Sequence, residues 1–148
     1  SLKVGQHSLV LIDDDDRFSQ LLKVILQGKG WEVTRFPDGR AGLDYLREHP
    51  LTPQLVICDV HMPNMDGVSF LKSFRDAGFA TPVLMLTSDQ DSLLEAELAC
   101  LGADAYIRKQ EDPRVLLAWC NNLVSRRGAY LNNIKTTVVS SGILTQHA

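Results

Sequence analysis

The sequence contains no apolar run approaching the roughly 20 residues that a membrane-spanning helix needs. Nor does it carry a secretory apolar stretch near its start. Both absences point to a cytoplasmic protein with no membrane partner. Cysteine is scarce: Cys58, Cys100 and Cys120 are an odd number and lack metal-ligand spacing. Each lies among apolar residues, so all three are expected to be reduced core cysteines. Excess charge is small, with 15 basic and 18 acidic residues and a net charge of −3. That charge and a pI near 5.7 argue against direct nucleic-acid binding by this segment. No glycine-rich loop follows the first apolar run, where Asp13-Asp14-Asp15-Asp16 stand instead. A flavin- or nucleotide-binding enzyme would need such a loop for its phosphates.

What is present fits one domain. The 148 residues are 45% hydrophobic and 22% charged, near the average for a globular chain. A domain of this size buries roughly 70% of its unfolded surface, so it needs no disulfide or metal to hold its core. Short apolar runs alternate with helical patterns. Five runs read as strands: Ser8 to Ile12, Glu32 to Phe36, Gln54 to Cys58, Pro82 to Leu86 and Ala105 to Ile107. Between and after them, apolar residues recur at helical spacing, as in Phe18, Leu21, Leu22 and Ile25. Gly28 with Gly30, His49-Pro50, Gly78 and Gly102 are the expected stops of the first four helices. The fifth is expected to end at Arg126-Arg127, where cations suit the negative end of the helix dipole. Alternating strands and helices predict an α/β fold, a doubly wound five-stranded parallel sheet with helices on both faces.

Ligands of such sheets sit at the carboxyl ends of the strands. There the sequence places Asp13-Asp14, Asp59, Thr87-Ser88 and Lys109. Three carboxylates, a hydroxyl and an ammonium from distant parts of the chain would share one crevice. Close carboxylates repel and attract a cation, and oxygen donors favour a hard one. Mg²⁺ suits them, since it binds through one or two carboxylates, waters and a substrate phosphate. A carboxylate can also act as nucleophile and form an aspartyl phosphate. Lys109 would meet that phosphate as a point charge, and Thr87 would donate a hydrogen bond to it. Taken singly, these residues have ordinary readings: an acidic turn for Asp13 to Asp16, a loop carboxylate for Asp59, a helix N-cap for Thr87 and a surface lysine for Lys109. Their joint position at strand ends favours the chemical reading.

The segment Leu55-Val56-Ile57-Cys58-Asp59-Val60-His61-Met62-Pro63-Asn64-Met65-Asp66-Gly67 closely resembles the phosphorylation-site motif of response-regulator receiver domains. Asp13-Asp14 resemble that family's acidic pair, Leu86-Thr87-Ser88 its switch hydroxyl, and Gly102 to Lys109 its last strand and lysine. The resemblance spans roughly residues 8 to 126 and implies the flavodoxin-like strand order 2-1-3-4-5, which general accounts of this fold give for a receiver protein. It also implies a two-component phosphorelay switch. A histidine kinase or phosphotransfer protein, or a small phosphodonor, would phosphorylate Asp59. Asp14, Asp59 and the backbone carbonyl of His61 would ligate Mg²⁺, with Mn²⁺ as a substitute and Asp13 acting through water. Thr87 and Ser88 would meet the phosphate with Lys109, and Tyr106 would turn inward. The side chains of His61 and Asp89 would tune dephosphorylation. The signal would leave through the face of the fourth helix, fifth strand and fifth helix, to an output domain, a downstream protein or a second copy in a phosphorylation-dependent homodimer. In this reading the chain is no enzyme; it assists only its own phosphorylation and slow dephosphorylation. Cys58, beside the acceptor, should point to the opposite face by strand alternation.

One position departs from the family pattern. Gln110 stands where the family usually has a proline joined to the lysine by a cis bond. A cis bond before a non-proline residue costs roughly 2.5–4 kcal/mol, so a trans bond and a shifted loop are expected. The shift puts the reach of Lys109 in question and leaves room for an alternative, a pseudo-receiver acting as a phosphorylation-independent interaction domain. Asp112 and Pro113 read as the N-cap and first residue of the fifth helix. Residues 1–7 read as a leader or cloning remnant, and 8–127 as the receiver domain. Residues 128–148 have three readings: an extension of the fifth helix, an arm that docks on a neighbour, or a linker to an absent output domain. The linker is favoured.

Overall fold

The computed structural model describes residues 6–141. Ten elements alternate along the described residues: β1 (His7–Ile12), α1 (Asp16–Gly28), β2 (Trp31–Phe36), α2 (Gly39–Glu48), β3 (Leu55–Asp59), α3 (Gly67–Asp76), β4 (Val83–Thr87), α4 (Ser92–Cys100), β5 (Ala105–Arg108) and α5 (Pro113–Ser140). The sheet runs β2-β1-β3-β4-β5, and every neighbouring pair is parallel. The predicted class and strand order are both observed.

Strand alternation divides the core into two layers. Leu9, Leu11, Leu55, Ile57, Leu84 and Leu86 face α1 and α5. Val10, Ile12, Val56, Cys58, Val83 and Met85 face α2, α3 and α4. Each central strand is apolar on both faces because helices cover both. Cys58 lies in the second layer, as alternation requires. Cys120 is also buried, but Cys100 is exposed at the last residue of α4. Its apolar neighbours misled the reading that all three cysteines are core.

All five helices begin the same way. Asp15, Asp38, Asp66, Asp91 and Asp112 are the N-caps, and each side chain accepts a backbone N–H of the first turn. Such a cap is worth about 1 kcal/mol. The four-aspartate run is thereby divided, since Asp15 caps α1 and Asp16 opens its first turn. Thr87 caps nothing, because Asp91 begins α4. Asp112 and Pro113 start α5 as expected, and no cis peptide occurs among the described residues, so Lys109–Gln110 is trans.

The end of α5 corrects the sequence reading. The helix does not stop at Arg126-Arg127 but runs on to Ser140. Gly128 lacks the positive φ that would make it a stop, and no proline follows to force one. The proximal part buries Leu116, Cys120 and Leu123 against the body. The distal part exposes Tyr130, Leu131, Ile134 and Val139. Residues 128–140 therefore extend the fifth helix. Residues 1–5 and 142–148, belonging to the expected leader and tail, lie outside the described residues.

Candidate functional site

The carboxyl ends of β1, β3, β4 and β5 converge because parallel strands with right-handed crossovers place all these ends on one edge. Asp13, Asp14 and Asp59 each offer a carboxylate oxygen within 4.8 Å of the others. Asp13 is fully buried, Asp59 nearly so, and Asp14 is exposed at the mouth. This is a set of hard oxygen donors with one open side, which fits a cation such as Mg²⁺.

Lys109 closes the other side. Its Nζ lies 2.8 Å from Asp13 Oδ2 and 3.4 Å from Asp59 Oδ2. It also sits 4.7 Å from the centroid of the Phe18 ring. The question raised by Gln110 is thus answered in structural terms: the lysine reaches the crevice. Its backbone N–H donates to Thr87 O at 2.8 Å, and Gln110 Nε2 donates to Ser88 O at 2.8 Å. A proline could not offer a side-chain donor there. Instead of the cis bond, a glutamine amide ties the loop after β5 to the loop after β4.

Charges in the crevice are unbalanced, with three carboxylates against one ammonium. Burial, reinforced by Asp13, pushes the Asp59 carboxyl up to about 6, although Lys109 pulls the other way. Burial alone would push the Lys109 ammonium down, but Asp13 and Asp59 more than offset it and hold it above its usual value. The lysine is therefore charged at neutral pH, and Asp59 is predominantly ionised there.

Asp13 is the most constrained member. Its Oδ1 accepts from Asp15 N at 2.9 Å. Its own N–H donates to Phe36 O at 3.0 Å. Its carbonyl accepts from Arg35 Nε at 3.0 Å and Nη2 at 2.7 Å. The sequence reading gave Asp13 a water-mediated role; the structure adds a direct ion pair with Lys109.

The remaining predicted residues surround this centre. Thr87 is fully buried, and its Oγ1 accepts from Asp89 N at 3.1 Å. Ser88, Asp89 and His61 are exposed on the loops at the mouth. The Tyr106 hydroxyl is buried without a hydrogen-bond partner, and the ring packs on the layer that faces α4. Gly67 lets the loop after β3 fold tightly, since a Cβ there would collide with the Asp59 carbonyl oxygen and Val60 Cα. Phe18, Arg35 and the side-chain role of Gln110 escaped the sequence reading. Arg35 carried a signal: it is a charged residue near the carboxyl end of β2, on the edge where the chemistry gathers.

Comparison with known proteins bears on the family and the fold. The family model described as the response regulator receiver domain matches residues 9–121. The transcriptional regulatory protein CseB of Streptomyces avermitilis is 34% identical over 128 residues, covering 83% of this chain and 51% of CseB. This chain thus spans about half the length of that relative. Among solved structures, the receiver domain of the Francisella response regulator 1452 superposes with a TM-score of 0.76 at 27% identity, covering 82% of this chain and 99% of that one. The Vibrio cholerae chemotaxis protein CheY4 superposes with a TM-score of 0.73 at 28% identity, covering 80% and 99% respectively. The acidic edge, the strand order and these matches lead to one conclusion: the chain belongs to the response-regulator receiver family of two-component systems.

Proposed function

We propose that this chain is a signalling switch that accepts a phosphoryl group on Asp59. The observation that carries the reading is the gathering of Asp13, Asp14 and Asp59 oxygens within 4.8 Å of one another, beside the Lys109 ammonium. In the proposed step an Asp59 carboxylate oxygen attacks the donor's phosphorus and an O–P bond forms. The P–N bond to a kinase or phosphotransfer histidine breaks, and its electron pair stays on the imidazole nitrogen. A small acyl phosphate can serve as donor through the equivalent P–O cleavage.

Each residue has a task in this scheme. Asp14, Asp59 and the His61 carbonyl would hold Mg²⁺ or Mn²⁺, with Asp13 assisting through water. The ion, when bound, supplies positive charge that offsets the carboxylates and the incoming phosphoryl group. Lys109 leaves its pairing with Asp59 to meet the phosphoryl oxygens, still tethered by Asp13. Thr87 Oγ1 already accepts from Asp89 N, so its own proton is available to a phosphoryl oxygen. Ser88 flanks that oxygen, and His61 and Asp89 at the mouth tune the access of water. Movement of Thr87 and Tyr106 alters the α4-β5-α5 face, which passes the signal to an output domain, a downstream protein or a second copy.

Intact-mass measurement after incubation with acetyl phosphate and Mg²⁺ tests the reading. The expected result is a gain of one phosphoryl group in the natural sequence and none in Asp59→Asn. No gain in the natural sequence would instead favour the pseudo-receiver, a domain that binds partners without phosphorylation.

A further inference from the structure

We propose that Arg35 is a positioning residue for the cation site, holding the Asp13–Asp14 peptide so that Asp14 presents its carboxylate. The proposal rests on the reading of the acidic edge as an Mg²⁺-binding phosphoacceptor site. Arg35 lies near the end of β2, in register with Leu11 of β1. Its guanidinium spans the loop after β1. Nε and Nη2 both donate to the Asp13 carbonyl oxygen, at 3.0 and 2.7 Å. Nη1 meets Asp16 Oδ1 at 2.9 Å. The arginine side chain is 23% exposed and the Asp16 side chain 87% exposed, so the ion pair is the solvated end and the carbonyl fork the enclosed one.

The carbonyl of Asp13 belongs to the same rigid peptide plane as the N–H of Asp14. Fixing that oxygen therefore fixes one side of the Asp14 Cα. β2 also holds the preceding peptide, Ile12–Asp13, because Phe36 O accepts the Asp13 N–H at 3.0 Å, so Asp13 is restrained at both of its peptide planes. Asp14 itself is exposed. Its direction is thus set by its backbone, and Arg35 is a principal restraint on that backbone. Among the described residues the other donor to the Asp13 carbonyl is Ser19 Oγ, which is distant, at 3.5 Å.

Charge and geometry oppose one another at this residue, which makes the proposal testable. A cation near the crevice repels Mg²⁺, so charge alone would make Arg35 unfavourable to metal binding. Its positioning role predicts the reverse. Arg35→Lys keeps the charge but has no planar fork. Arg35→Gln loses both.

The experiment is calorimetric titration of the apo protein with Mg²⁺, alongside the Mg²⁺ dependence of phosphorylation by acetyl phosphate and thermal unfolding in EDTA. Arg35→Lys is expected to weaken Mg²⁺ binding roughly tenfold, the lower end for loss of a second layer of support around a metal. Arg35→Gln should also weaken it, by less, because the repulsive charge has gone. Saturating Mg²⁺ should restore most of the maximal phosphorylation rate in both. An Mg²⁺ affinity in Arg35→Lys within twofold of the natural protein overturns the proposal, including the case where only the melting temperature falls. Tighter binding by Arg35→Gln together with unchanged binding by Arg35→Lys overturns it too, leaving a purely electrostatic role. If the natural sequence itself neither binds Mg²⁺ nor gains phosphate, the reading of the site fails and the role of Arg35 with it. Normal behaviour of the natural sequence with unchanged Arg35→Lys removes only the role of Arg35.

Discussion

Two partly buried cations stand at opposite ends of the sheet, and their surroundings differ in kind. Arg75 of α3 lies near the amino end of β4. Its guanidinium donates to the carbonyls of Gly102, Phe79 and Thr81, at 2.8 to 3.1 Å, and pairs with Asp104 at 3.1 Å. Asp104 in turn accepts from Val83 N at 2.9 Å. One cation meets one carboxylate and a set of neutral acceptors, and the network is closed. Lys109 at the carboxyl end meets Asp13 and Asp59, with Asp14 close by. Its network has surplus negative charge and an open side. The satisfied cluster stitches α3 to β4 and to the loop before β5. The unsatisfied one is where the proposed uptake of a cation and a phosphoryl group would offset the surplus charge. The difference between structure and function here is a difference in charge balance, since an unpaired buried charge is costly and persists only where something else offsets it.

Breaking the closed cluster should give the largest change in stability. Arg75→Ala leaves three carbonyls without their donor and Asp104 without its cation, a loss of about 3 kcal/mol. Urea unfolding should register that loss, while acetyl-phosphate labelling of Asp59 at low temperature should persist. If Arg75→Ala abolished labelling in the folded protein, the division of roles between the two ends would be wrong.

Lys109→Met should invert that pattern. Labelling is expected to fall at least about a hundredfold, the scale for loss of an electrostatic stabiliser at a reacting centre. Stability at neutral pH should fall by only about 1 kcal/mol, because Asp13 and Asp59 then repel unscreened. Added Mg²⁺ should recover much of the lost stability.

Asp59→Asn sharpens the comparison through pH. In the folded protein this carboxyl is raised to about 6, above its unfolded value of roughly 3.9. Between those values the folded state holds more protons than the unfolded one, so stability falls as pH rises through the window. Above it the ionised Asp59 costs the fold its full penalty; below it the group is protonated in both states. Asn carries no such penalty. The variant should therefore melt above the natural protein at pH 7, with the gap closing toward pH 4. A gap independent of pH would show that Asp59 ionisation is not the source of strain.

The smallest expected effect is at Tyr106. Its buried hydroxyl has no hydrogen-bond partner, so Tyr106→Phe should be neutral or raise stability by up to about 1 kcal/mol. A marked loss in denaturant unfolding would mean that the hydroxyl has a partner in solution.

Much of this was legible in the chain itself. Runs such as Leu9-Val10-Leu11-Ile12 are too short for a helix and apolar on both faces, which specifies a strand covered from two sides. Val83 to Leu86 read the same way. Asp59 and Lys109 could be placed on one edge of the sheet because strand ends are visible as the points where apolar runs stop. The failures were also physical. Arg126-Arg127 resembled a helix end because cations favour that position, yet the backbone there contains nothing that prevents continuation. Cys100 has apolar sequence neighbours, but on a helix adjacent residues point in different directions. Arg35 could be placed near the end of its strand, but its pairing with the Asp13 carbonyl, like the contact of Phe18 with Lys109, spans a distance in sequence that no local pattern records.

Periodicity and residue type, both local properties, were enough to determine the α/β alternation and the identity of the acidic, hydroxyl and ammonium groups, while the strand order was implied only by the family resemblance. The balance of charge among them was decided only by folding, which buries Asp13 while leaving Asp14 in water and places one lysine between two carboxylates. Those energies depend on ångström separations and on exclusion of solvent, and neither exists until the sheet has assembled.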